Sequence, residues 1–278
     1  EGLGIEINST AQFDMINNDL WDVQSTYGSG SLGAVPQNAA SAMDNVWSAW
    51  GAQMNGQLVP QFDGISRAYQ YYDNKDRFYR GGTTFSNTVS FSTSGENGNT
   101  RFSFTNLDND DISPNSALDR NSIGINTSQS VGDNIKIDAN LKYILEDQSG
   151  NPRLSDGPGN ANWIINHTAP SINVDWGKGP NGDGRNDDLS EFQMTPSIYI
   201  QNPWFAQNYY VNDSEKERFI GSANVRWDLS DYIYIRGRVG ADRYDLHRTN
   251  SEPYGTGYKP LGGICLLYTS DAADDLVC

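Results

Sequence analysis

Every second residue from 135 to 145 is apolar: Ile135, Ile137, Ala139, Leu141, Tyr143 and Leu145, with Lys136, Asp138, Asn140 and Lys142 in the gaps. A strand sends successive side chains to opposite faces, so such a run builds one oily face and one wet face. Six other segments carry the same period. They are residues 3–14 (Leu3, Ile5, Ile7, Ala11, Phe13), 83–93 (Phe85, Val89, Phe91), 100–107 (Phe102, Phe104), 121–129 (Ile123, Ile125), 217–228 (Phe219, Ala223, Val225, Trp227) and 233–244 (Ile233, Ile235, Val239, Ala241).

The connections sort by length. Residues 94–99, 131–134 and 229–232 are short, and the first holds Asn97-Gly98, a tight-hairpin signal. Residues 15–82, 108–120 and 147–216 are longer and alternate with them. A meander that puts every long loop on one rim is the outer-membrane barrel plan. Charge placement points the same way. The middle of each apolar stripe lacks Asp, Glu, Lys and Arg, whereas the opposite stripes carry Glu6, Arg101, Lys136, Asp138, Lys142, Arg226, Arg236, Arg238 and Asp242. A cation costs about 2–4 kcal/mol facing lipid at the bilayer midplane, and a watery lumen tolerates it. Asn87, Asn106 and Gln129 fall on the apolar side and are expected near a rim; Phe13, Tyr143, Phe219 and Trp227 are candidates for an interfacial aromatic girdle.

The fold class predicted is therefore all-β: an antiparallel up-and-down meander, a partial transmembrane β-barrel of about seven strands with long external loops. Seven strands leave two unpaired edges, and the smallest such barrels have about eight, so the chain is expected to be part of something larger. Glu1 leads straight into a strand pattern with no signal peptide before it, as expected of a sequence that starts inside a longer one. No apolar run approaches the ~20 residues of a membrane-crossing helix. A net charge of −16 argues against nucleic acid as a partner.

The long loops offer binding surface rather than chemistry. Met43, Val46, Trp47 and Trp50 follow helical spacing and predict a short amphipathic helix, read as local loop core before ligand platform. Residues 155–160 form a turn cluster; residues 181–188 are acidic but lack calcium-loop spacing and read as a solvated turn. His167 and His247 are the only histidines; both are expected in loops, and neither has zinc spacing. No nucleophile elbow, P-loop or dinucleotide motif is present. Catalytic residues, metal ligands and cofactors are accordingly expected to be none, the chain is expected not to be an enzyme, and no residue is singled out for substrate. Cys265 and Cys278 lie in a tail that departs from the preceding style. Cys265-Leu-Leu-Tyr-Thr-Ser-Asp-Ala-Ala-Asp-Asp275 resembles the conceptual translation of a transposase adapter used in sequencing libraries. Residues 1–263 are thus expected to be barrel and residues 264–278 to be foreign.

Several runs resemble the SusC/RagA family of TonB-linked outer-membrane proteins. Trp50-Gly-Ala-Gln-Met-Asn-Gly-Gln57 and Pro60-Gln-Phe-Asp-Gly64 are similar to that family's first long barrel loop. Asn74-Lys-Asp-Arg-Phe-Tyr-Arg-Gly-Gly82 and Thr84-Phe-Ser-Asn-Thr-Val-Ser-Phe-Ser92 are similar to its return into the barrel. Arg101-Phe-Ser-Phe-Thr-Asn-Leu-Asp108, Pro114-Asn-Ser-Ala-Leu-Asp-Arg-Asn121, Asn202-Pro-Trp-Phe205 and residues 218–244 continue the likeness in order. The resemblance implies a larger barrel of about 22 strands with a plugged lumen. It further implies a TonB-dependent nutrient transporter of the Gram-negative outer membrane, importing oligosaccharide or peptide. A SusD-like surface lipoprotein, the TonB complex and outer-membrane lipid would be its partners. The plug and TonB box are not in this sequence. The competing expectation is a secreted β-sandwich that binds or cleaves carbohydrate, with its apolar stripe buried against a second sheet.

Overall fold

The computed structural model describes residues 2–17, 23–155, 157–258 and 267–270. In chain order the elements are β1 (Gly2–Asp14), α1 (Ala39–Asp44), β2 (Leu58–Pro60), β3 (Ser66–Ala68), α2 (Asn74–Phe78), β4 (Gly82–Gly95), β5 (Gly98–Asp110), β6 (Ala117–Val131), β7 (Ile135–Ser149), α3 (Ala161–His167), α4 (Pro203–Tyr209), β8 (Val211–Ser230), β9 (Ile233–Ser251) and β10 (Leu267–Ser270). One antiparallel sheet takes the order β1-β4-β5-β6-β7-β8-β9-β10, and β2 pairs β3 in a separate hairpin. The seven strands expected from the alternation are β1 and β4 to β9. The sheet does not close: among the described residues β1 and β10 are its ends.

Register decides which side chains share a face. Ile7, Val89, Phe104, Ile123, Tyr143 and Phe219 stand directly opposite one another across six strands. Ile5, Phe91, Phe102, Ile125 and Leu141 form the next row toward the short turns. The band they belong to runs obliquely to these rows. Its loop-side edge lies at Phe85 on β4 but at Ala241 on β9, three rows further down; its turn-side edge drops from Leu3 on β1 to Trp227 on β8. An oblique band is what strands tilted to a barrel axis require. On β7 it covers ten residue steps, about 34 Å at strand rise, which a tilt of roughly 35–45° reduces to about 24–28 Å. An outer-membrane barrel presents an apolar band of about 25 Å.

Burial is inverted relative to a water-soluble sheet. Phe91 and Leu141 remain 42% and 41% exposed, and none of β1 and β4 to β9 contributes a buried hydrophobic side chain. In those strands the one buried side chain longer than hydrogen is Ser90, on the polar face. In the loop-side halves of β6 (119–125) and β7 (143–149) the polar-face residues are the less exposed of each pair, whereas in the turn-side halves the apolar-face residues are. The buried hydrophobic residues sit instead among the loop segments, in two clusters around Phe78, Phe205 and Val174 and around Val46, Ile164 and Met194. No second sheet covers the apolar stripe among the described residues, so the sandwich expectation is not met.

Several local expectations need correction. The strands outrun the alternation at the loop side, reaching Asp110, Ala117, Ser149 and Val211. There both faces meet water and the period fades. His247 consequently lies within β9, opposite Glu215, and not in a loop; His167 ends α3 and stacks on Trp163. The predicted helix is shorter than Met43 to Trp50 implied. α1 is capped by Asn38 and Ser41 and stops at Asn45; Met43 and Val46 face the loop core, Trp47 packs edge-on against Trp163, and Trp50 emerges 80% exposed. The Asn97-Gly98 turn forms, but Gly98 closes the two-residue loop rather than occupying it. Its φ of +151° places any Cβ 2.1 Å from the Ser128 carbonyl oxygen. The tail expectation falls mostly outside the described residues. Within it, the β10 backbone pairs with residues 248–251 of β9.

Candidate functional site

The long connections leave the same rim and fold onto one another. Tyr69 donates to the Ser29 carbonyl (2.6 Å), and the Ser29 amide donates to Ser171 Oγ (2.7 Å). Asn74, buried, donates to the Ile172 carbonyl and accepts from the Val174 amide. The Ala169 amide donates to the Val46 carbonyl (2.7 Å). Thus residues 23–81, 150–155 and 157–210 form a single packed cap. Arg67, held by a two-pronged pair to Asp63 (2.7 and 2.6 Å), lies 4.5 Å over the Trp176 ring; Lys178 lies 4.3 Å over Trp204. Burial, with Asp111 nearby, pushes the Tyr79 phenol up to about 12, and its hydroxyl donates to Asn162.

Asn202 and Glu191 tie the cap to the segment after β9. Asn202 starts α4 as its cap, with Pro203 at the first helical position where a missing N–H costs nothing. Its side-chain amide donates to the carbonyls of Gly177 (2.5 Å) and Phe192 (2.7 Å). Its backbone amide donates to Glu191 Oε1, and the Gly257 amide donates to Oε2, both at 2.6 Å. Glu191 is 3% exposed, and desolvation lifts its carboxyl to about 7 against the opposing pull of those amides. Beside it lies a polar cleft of about 370 Å³ lined by Asn186, Ser190, Gln193 and Thr256.

Below the cap the polar face carries laterally paired charges. Arg101 bridges Glu6 (2.9 Å) and Ser90 (3.0 Å). Arg218 grips Asp242 at 2.8 and 2.5 Å, and Asp138 accepts from Ser128 (2.7 Å) and Asn224 (3.1 Å). Glu6, Arg101, Lys136, Asp138, Lys142, Arg226, Arg236, Arg238 and Asp242 all lie on this one face by register. Amides, hydroxyls and charges of both signs suit a polar solute without selecting its net charge. On the apolar face a polar row lies toward the loop side of the band: Ser9 donates to Asn87 and Asn106 to Asn121, and Tyr143 donates to Glu217 in that row.

Among the described residues no three His, Cys, Asp or Glu side chains converge as metal ligands. In the 181–188 turn, Asp183 accepts from the Arg185 amide and from Tyr209, and Asp188 accepts from Ser190. In the sequence Asn202 and Asn74 stand out only as the first residues of two runs that carry a family resemblance, with no structural role assigned; Glu191 and Tyr69 carry no local signal.

No family model matches the sequence, and no curated protein matches it. Solved structures do. One chain of the RagAB peptide importer, in its "closed-closed" state, superposes with a TM-score of 0.57 at 13% identity, over 94% of this chain and 30% of that one. The chain therefore spans about a third of the length of the solved chain it matches. At that identity the likeness shows the fold alone: a run of antiparallel strands with long connections between them.

Proposed function

We propose that this chain is a wall segment, with its external loops, of a TonB-dependent nutrient importer of the SusC/RagA kind in the outer membrane of a Gram-negative bacterium. The observation that carries the reading is the inversion of burial: the apolar stripe is unpartnered over the whole sheet while the loops own the hydrophobic core. Hydrocarbon would cover that stripe, and water would fill the polar side. The role is passage without a covalent step. Solute, a peptide or an oligosaccharide, would be met by the rim cap and handed along the polar face. A plug and a TonB-engaging segment would come from elsewhere in the whole protein, and a SusD-like lipoprotein would sit over the loops. The likeness to a peptide importer supports the transporter reading and leaves peptide and glycan as alternatives.

Detergent dependence tests this. The complete protein is expected to extract from outer membranes only with detergent and to run as a folded, heat-modifiable species. Recovery as a soluble monomer without detergent would reject the reading.

A further inference from the structure

Residues 252–258 leave the end of β9 and lie back against the cap, and the contact is polar. The Glu191 amide donates to the Gly255 carbonyl (2.9 Å) and the Gly257 amide to Glu191 Oε2 (2.6 Å). The Tyr210 and Thr256 hydroxyls are 2.7 Å apart, and Arg153 reaches Glu252 (3.4 Å). None of residues 252–258 contributes a buried hydrophobic side chain. Tyr258 meets Tyr199 only at a ring separation of 6.3 Å, and Tyr254 is exposed. The fit is close all the same: a Cβ on Gly257 would lie 2.2 Å from Gln193 Nε2, and one on Gly255 2.7 Å from the Leu189 carbonyl oxygen. A segment held in this way gains little from apolar burial, so its attachment depends on the polar groups at the contact.

Those groups converge on Glu191. One carboxylate oxygen takes the Asn202 amide from the cap and the other takes the Gly257 amide from the returning segment; the Thr256 hydroxyl adds a further bond. Among the described residues no cation pairs with it. Arg153, beyond Tyr210, is taken by Glu252 and lies 5.2 Å over the Tyr210 ring. Arg185 bridges Glu191 through the backbone, but its guanidinium lies over Tyr209; Lys178 reaches Asp175 and lies over Trp204. The nearby acids Asp183 and Asp188 accept from Tyr209 and Ser190. The carboxyl is thus desolvated by this chain's own loops, with hydrogen bonds but no countercharge. Neutral donors offset only part of the cost of burying a charge. A proton removes the rest, and so does undocking, which lets water reach the ionised group.

We infer that residues 252–258 form a proton-dependent strap over the polar cleft: docked while the Glu191 carboxyl holds a proton, and released as it ionises, which parts the cleft between residues 186–193 and 255–257. Geometry supplies the coupling, because one buried carboxyl takes a backbone donor from each side. The lift of that carboxyl from 4.5 to about 7 sets the window. Docking is fully favoured below about pH 4.5, weakens about tenfold per pH unit above it, and levels off above about 7, a total change of about 300-fold. The strap does not depend on the membrane reading, and each can fail without the other.

Nitroxide labels on Asp187→Cys and Tyr254→Cys, in the complete protein in detergent, read the distance across the cleft. A single narrow distance at pH 4.5 is expected to give way by pH 8 to a longer, broader distribution. Glu191→Gln cannot ionise, so its distance should be the same at both pH values, whether the strap is then docked or free. The histidines also titrate in this range, and His167→Gln with His247→Gln should leave the parent profile unchanged. A distance that does not change with pH in the parent would overturn the strap. So would a pH response that survives Glu191→Gln, or one that disappears when the histidines are replaced.

Discussion

At the scale of single residues, two positions spend stability for no visible local return. Leu32 sits in left-handed space, where an L-residue other than Gly, Asn or Asp loses about 1–2 kcal/mol. Leu32→Asn is therefore expected to raise resistance to thermal unfolding by about 1 kcal/mol, measured in detergent on the complete protein. An Asn variant no more stable than the parent would show that the turn is not strained. Asp119 is the other. It stands directly between Asp108 and Asp147 on neighbouring strands, and like charges opposite one another destabilise a sheet by a few tenths of a kcal/mol or more each. Asp119→Asn should raise the melting temperature at low salt, and the gain should shrink as salt screens the row. A gain independent of salt would mean the row is not electrostatically strained.

Among elements, the apolar and polar faces of one strand should answer the same substitution differently. Leu141→Arg puts a cation on the band and is expected to cost about 2–4 kcal/mol, read as lost folded protein in the membrane; Asn140→Arg, on the opposite face, should be tolerated. Equal tolerance at both positions would contradict a lipid-facing stripe. The cap should answer to pH instead. The Glu191 carboxyl is raised from 4.5 to about 7, so the folded cap binds a proton more readily than the unfolded chain. Its stability is full below about pH 4.5 and falls as pH rises through 7, by on the order of 3 kcal/mol. Amide exchange at Asn202 and Gly257 is expected to accelerate beyond the intrinsic rate between about pH 4.5 and 7, and to follow the intrinsic rate above that. Glu191→Gln should abolish that excess pH dependence. Its side-chain NH2 would face one of the two donors, Asn202 or Gly257, so protection at that amide should also drop at pH 5. These contrasts explain what was legible. The faces of β7 could be read from Ile135 to Leu145 because, on the proposed reading, hydrocarbon and water impose opposite demands on alternate residues. The strand ends and His247 could not, since toward the loops polar residues occupy both faces. Glu191 is silent in sequence because its partners at 202 and 257 arrive only through the folding of two different segments.

For the whole molecule, the sheet is the unfinished element. Every residue of β1 up to Phe13 is exposed, and its outer edge offers unpaired N–H and C=O groups along thirteen residues. Lipid supplies no hydrogen bonds to such an edge, and each unsatisfied group costs several kcal/mol there. Barrels in membranes are closed for that reason. The matched solved chain is about three times longer than the aligned stretch, enough to supply the missing strands. The same logic separates the cap from the wall. The cap holds its own hydrophobic clusters and cross-loop hydrogen bonds, whereas the large sheet has only its ladders, its apolar stripe awaiting the hydrocarbon that the proposed reading supplies. Refolded alone in detergent, residues 1–263 are therefore expected to give polydisperse oligomers joined through β1 edges, with slow amide exchange in the interior strands and rapid exchange along β1. The complete protein should give one species with β1 protected. Protection of β1 in a monodisperse monomer of the short chain would mean that this sheet satisfies its own edges, and the wall-segment reading would lose its physical basis.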